Sequence, residues 1–165
     1  MDQMIRILPA LLLITSMASA KDLSTRLGVG IKNNNSVELP AVAAVYYPNS
    51  EVGLTASLGV DTQEDSSKFA FNAGLRRILF KENNMNFYYG GQVGLLNVET
   101  PTGTGTSDKE SGFEMNVVFG AEFFFAGLDS LGFSFEGGVA LSSLDETRFR
   151  TVGDHPLKAG LIFYF

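Results

Sequence analysis

Residues 157–165 read Leu-Lys-Ala-Gly-Leu-Ile-Phe-Tyr-Phe, and how these nine are read decides the fold. Leu157, Ala159, Leu161, Phe163 and Phe165 recur at the strand period of two and share one face. Lys158, Gly160, Ile162 and Tyr164 share the other. A soluble domain seldom ends on a wholly apolar face, because terminal residues fray into water. A strand that closes a barrel in lipid does end this way, so the segment is expected to be a closing strand.

The first 20 residues carry a different pattern. Arg6 supplies a positive end, Ile7 to Ile14 a short apolar run interrupted by Pro9, and Ala18-Ser19-Ala20 the small residues of a cleavage site. A cleaved signal peptide over residues 1–20 is expected, with residues 21–165 as one domain. The apolar run is far shorter than the roughly 20 residues a spanning helix needs, and no later run reaches that length. A helical membrane protein is excluded on this reading.

Setting aside Asp2 and Arg6 leaves 17 acidic and 11 basic residues, and the balance stays at −6, which argues against a nucleic-acid partner. With no cysteine there is neither a disulfide framework nor a thiolate metal site. No cluster has metal-ligand spacing, and no cofactor is expected. Charged residues make up only 18% of the chain while 18 glycines and 12% aromatics are present. This is a β composition with little charge for an exported domain.

Between the ends, alternation marks further strands at Arg26–Lys32, Leu39–Tyr47, Glu51–Asp61, Lys68–Phe80 and Met85–Val98. Phe113 to Phe123 and Leu131 to Ser142 complete the set before the last strand, for eight in all. Val52, Leu54, Ala56, Leu58 and Val60 against Gly53, Thr55, Ser57 and Gly59 is the cleanest alternation in the middle of the chain. The second strand is apolar on both faces, which leaves its facing open. Tight reversals are expected at Pro48–Ser50, Lys81–Asn84 and Ala126–Ser130, and loops at 33–36, Thr62–Ser67, Thr100–Ser111 and Ser143–Pro156. The later two are the long ones. Short turns at one end and longer loops at the other suit an eight-stranded antiparallel up-and-down transmembrane β-barrel.

Tyr46, Tyr47, Phe80, Phe87, Tyr88, Tyr89, Phe123, Phe124, Phe125, Phe133, Phe163, Tyr164 and Phe165 fall near the end with the short turns, as an aromatic girdle would. Phe69 and Phe113 suit the opposite rim. The set opposing the large hydrophobes is rich in Gly, Ser, Thr and Asn rather than in Lys and Glu, so the apolar set is read as facing lipid. A soluble β-barrel with its apolar face inward is the alternative.

On that facing the lumen holds Arg26, Arg76, Gln92, Glu114, Glu122, Glu136 and Lys158. Eight strands enclose a space about wide enough for side chains to fill, so buried ions must pair. Arg76, then Arg26, is the expected partner of Glu122 or Glu136. A plug is favoured over a gated polar path on size grounds. In the last loop Arg148, Phe149 and Arg150 are surface candidates for phosphates or an acidic partner, against the plainer reading of a solvated charged loop. The single histidine, His155, sits beside Asp154 with Ser142, Ser143, Ser66 and Ser67 at the same rim. A hydrolase needs a base beside a nucleophile, and a lone loop histidine is more often solvated, so no enzyme is expected.

The chain resembles the small eight-stranded outer-membrane barrels typified by the OmpA transmembrane domain and the OmpX and Ail group. The resemblance rests on strand count, loop asymmetry and the terminal Phe163-Tyr164-Phe165. Leu161, Phe163 and Phe165 look like the carboxy-terminal signal that the barrel assembly machinery reads, although OmpX-type chains commonly end Tyr-Arg-Phe. The resemblance implies a monomer in the outer membrane of a Gram-negative bacterium, in contact with lipid and lipopolysaccharide. It further implies a structural, adhesive or surface-protective role, with any host or surface ligand met by the loops. A narrow channel for ions or small hydrophobic solutes, as in the OmpW group, is the alternative, and a lipid A modifying enzyme a lesser one. Leu157 stands two residues after His155, where the lipid A deacylases place their serine.

Overall fold

The structure is a computed structural model that describes residues 21–34, 37–64, 66–103, 106–151 and 158–165, with Lys158 described in its backbone only. The expected signal peptide, residues 1–20, lies outside the described residues, as do Asp154, His155 and Leu157. Among the described residues nine strands form: β1 (Leu27–Asn33), β2 (Pro40–Tyr46), β3 (Val52–Gln63), β4 (Ser66–Glu82), β5 (Met85–Pro101), β6 (Ser107–Phe124), β7 (Leu131–Ser143), β8 (Thr147–Thr151) and β9 (Lys158–Tyr164). Each of β1 to β7 pairs antiparallel with the next, and β9 pairs with both β7 and β1. The ring therefore closes with eight members. At the seam Leu27 N–H donates to Phe165 O at 3.2 Å and Phe165 N–H to Leu27 O at 3.0 Å.

The stagger of the ring follows from its register. Paired residues lead from Leu131 to Phe163, Val29, Ala44, Ala56, Ala73, Val93 and Met115, and return to β7 at Leu141. From 131 to 141 is a shift of ten residues, which obliges the strands to tilt by roughly 35–45°. Closure leaves the ring without a free edge, the solution that lets strands sit in an apolar solvent.

Alternation along each strand sorts the side chains inside-out. Val42, Leu95, Val117 and Phe119 point outward and are 60–66% exposed. Ser57, Asn72, Arg76, Asn116, Ser134 and Glu136 point inward and are buried, as are Glu114 and Glu122, these two completely. The second strand, whose facing periodicity left open, turns Ala41, Ala43 and Val45 inward and Val42 and Tyr46 outward. At Ile78–Phe80 a bulge breaks the alternation of β4, so that Leu79 and Phe80 both face outward.

Parts of three expected loops are instead strand. β3 and β4 continue to Gln63 and from Ser66. β5 and β6 pair as far as Pro101 with Ser107, through most of Thr100–Ser111. Within Ser143–Pro156, β8 pairs with β7, Thr147 opposite Ser143 and Thr151 opposite Val139. These extensions lie where the wall rises past the apolar belt and its outward residues turn polar, so alternation no longer announces a strand. The expected asymmetry of loop length gives way to an asymmetry of strand length. β4, β5 and β6 run 17, 17 and 18 residues, whereas β1, β2 and β9 run 7 each.

The luminal ion network as candidate functional site

Side chains fill the interior in three layers. Nearest the end that carries both ends of the described chain, Tyr47, Ile78, Tyr88, Phe124, Ile162, Tyr164 and Leu23 pack together. At the far end Val37 and Leu39, which precede β2, turn inward against Ala70 and Leu96. Polar groups occupy the space between and among them.

Arg76 is the centre of the network. Its Nη2 donates to Glu122 Oε2 at 2.9 Å and to Tyr164 Oη at 2.6 Å, and Tyr164 Oη donates to Glu122 Oε1 at 2.7 Å. The guanidinium plane lies between two rings, 4.9 Å from the centroid of Tyr47 and 4.7 Å from that of Tyr88. Tyr88 Oη donates to Glu136 Oε1 at 2.8 Å, and Lys32 Nζ stands 3.6 Å from Glu136 Oε2. Two cations and two carboxylates are thus tied together through tyrosines, which offsets the cost of taking ions out of water. Two glycines make the room. A Cβ on Gly53 would lie 2.9 Å from the Tyr47 ring and 3.1 Å from Arg76 Cγ, and one on Gly132 would lie 2.9 Å from Glu122 Oε1.

The other expected luminal residues are placed as follows. Gln92 and Glu114 point inward and are buried. Glu114 accepts from Asn34 Nδ2 at 3.2 Å, which ties the residue just past β1 to β6. Arg26 does not reach the acids; it sits at the rim just before β1 and donates to Tyr164 O at 2.8 Å and Ser130 Oγ at 3.0 Å. Lys158 stands opposite Glu136 in the ladder. Arg148, Phe149 and Arg150 belong to β8 rather than to a loop. By register Arg148 and Arg150 face inward, opposite Ser142 and Ala140, and Phe149 outward, opposite Leu141. Arg148 and Arg150 line a cavity of about 430 Å³ with Glu110, Ser142 and Glu146 at the far mouth. His155 lies outside the described residues, so no pairing with Ser142 or Ser143 enters this geometry. Leu161, Phe163 and Phe165 face outward on and beyond β9.

The expected girdle is corrected at four positions. Tyr47, Tyr88, Phe124 and Tyr164 turn inward and are at most 3% exposed, because they lie on the opposite parity to Tyr46, Tyr89, Phe123 and Phe163. Grouping aromatics by height alone hid this. Lys32, the partner of Glu136, was also missed, although it shares its parity with Arg26, Gly28 and Gly30 and so belonged to the inward set.

No family model matches the chain, and no curated protein matches it in sequence. Among solved structures it is similar to the crystal structure of the N-terminal β-barrel domain of Pseudomonas aeruginosa OprF. The TM-score is 0.62 at 11% identity, over 86% of this chain and 98% of that one. The likeness is one of fold. It joins the closed ring, the ten-residue stagger and the inside-out sorting in giving an eight-stranded antiparallel β-barrel with an apolar outer face.

Proposed function

We propose that this chain is an integral outer-membrane β-barrel of a Gram-negative envelope, exported by a leader within residues 1–20 and acting without catalysis. Its role is structural, adhesive or surface-protective, and whatever recognition it performs is carried by the far rim, where Arg148 and Arg150 line the mouth. The observation that carries this reading is the apolar outer face around a closed ring. A soluble protein of this size rarely exposes so large a continuous apolar surface, and a closed barrel is one of two architectures that satisfy every backbone group in lipid. The belt meets lipid and lipopolysaccharide, a single chain completes the ring as a monomer, and Leu161, Phe163 and Phe165 serve the assembly machinery. The test is envelope fractionation with heat-dependent gel mobility: a compact band in the outer-membrane fraction that shifts on boiling supports the reading, and a periplasmic chain without that shift overturns it.

A narrow polar path is the second reading. Asn72 Oδ1 and both amide atoms of Asn116 are buried inside without a hydrogen-bond partner among the described residues, which favours water there. Against it stands the Arg76, Glu122 and Tyr164 network, which fills the lumen below. Single-channel recording beside Glu136→Ala separates the two: openings whose size changes in the variant favour a path, silence from both a plug.

A further inference from the structure

We infer that residues 21–26 are a stopper for the mouth that carries both ends of the described chain, and that Leu23 keeps water from the Arg76, Glu122 and Tyr164 network. The segment precedes β1 and belongs to no strand. It nevertheless crosses the opening, held at the rim by Arg26 against Ser130 and Tyr164 and by three ties ahead of it. Thr25 N–H donates to Tyr47 O at 2.7 Å. Asn86 Nδ2 donates to Lys21 O at 3.4 Å, and Lys21 Nζ stands 3.2 Å from Asp129 Oδ1. Between these ties Asp22 accepts from Ser24 N–H at 2.9 Å, and Arg26 N–H donates to Leu23 O at 3.0 Å, which folds the segment into a tight turn. The turn drives Leu23 inward among Tyr47, Tyr88, Phe124 and Tyr164, where it is 2% exposed, while Asp22 and Thr25 face water.

The seat is built to be reversible. Asp129 is largely exposed, so its ion pair with Lys21 is weak and screened by salt. Thr25 stands at φ 62°, the left-handed region that a β-branched residue avoids. Burial of one leucine is therefore set against backbone strain one turn away. The segment's backbone bonds to the wall are Thr25 N–H to Tyr47 O and Tyr47 N–H to Arg26 O, just past the Leu27 and Tyr46 pair, so residues 21–24, Leu23 among them, can leave while the barrel stays closed.

The inference rests on the chain being the membrane barrel proposed above, and the chain's lack of cysteine provides a clean test of both. A single thiol is placed behind the stopper by Phe124→Cys, and its reaction with a water-soluble maleimide is timed in the folded protein in detergent micelles. Adding Leu23→Asp is expected to speed the reaction about tenfold or more, as protection by a local closed state is lost. Adding Thr25→Gly, which relieves the strain, is expected to slow it. In a separate series, a lone Leu23→Cys is expected to react far more slowly than a lone Thr25→Cys. Equal rates in the Phe124→Cys series, or equal rates at positions 23 and 25, overturn the stopper. Should Leu23→Asp fail to fold, the Thr25→Gly arm and the position 23 against 25 comparison still decide. A parent chain with no heat-modifiable form overturns the barrel reading as well, whereas a heat-modifiable chain with equal rates overturns the stopper alone.

Discussion

Arg76 and Glu122 hold each other in place where neither could stand alone. Removing one partner leaves the other buried and charged, so Arg76→Met or Glu122→Gln is expected to cost about 3–5 kcal/mol. Replacing Arg76 by Met and Glu122 by Leu together is expected to recover most of that loss, since a packed apolar pair needs no compensation. Urea titration of gel mobility in a double-mutant cycle measures both, and additive losses would disprove the pairing. A second residue-scale consequence concerns Asp22. Hydrogen bonds from the Ser24 hydroxyl and amide hold its carboxyl below the ordinary value of 3.8. With the folded pKa depressed, the support it gives the turn is present above 3.8 and is lost as pH falls through the lower folded value. An NMR titration of the Ser24 amide in micelles is expected to show its midpoint below 3.8; a midpoint at or above that value would remove Asp22 from the turn.

At the scale of the strand, the side on which a residue falls matters more than its chemistry. Val117 lies mid-strand in β6, outward and 61% exposed. On a soluble domain Val117→Arg would be close to neutral, whereas facing hydrocarbon it is expected to cost about 2–4 kcal/mol. Refolding into lipid vesicles against urea measures this, and no loss of stability would contradict the outward belt. The strand scale also shows where the sequence was hard to read. Thr100–Ser111 is built of Thr, Gly, Ser and charges, the composition of a loop, yet Thr100 and Pro101 pair with Asp108 and Ser107 because β5 and β6 carry them in register. In β8 the run Thr147-Arg148-Phe149-Arg150-Thr151 alternates, but five residues amid polar neighbours are too few to stand out.

For the molecule as a whole, closure and filling are separate achievements. The ring closes by pairing β1 with β9, and the lumen is then filled from both ends by the inward aromatics and by Val37 and Leu39. With these layers in series, the parent chain in a planar bilayer is expected to show no discrete openings. Frequent openings from heat-modifiable protein would show that the layers part in lipid, and the polar path would become the better reading.

What the sequence determined by itself was the architecture: period-two alternation through eight segments, Leu161, Phe163 and Phe165 included, and the scarcity of charge follow from local chemistry alone. It also divided nearly every barrel strand into two faces, since parity places Leu54 opposite Gly53 and Phe163 opposite Tyr164 whatever the surroundings, and the structure turned the apolar one outward. Only the tertiary structure decided which inward residues meet. That depends on the ten-residue stagger, which brings Tyr164 of the last strand within 2.6 Å of Arg76 in the fourth and turns Arg26 away to the rim. Alternation is counted along one strand, whereas stagger is a property of the closed ring. No pattern within a single segment encodes how far around the barrel its partner lies.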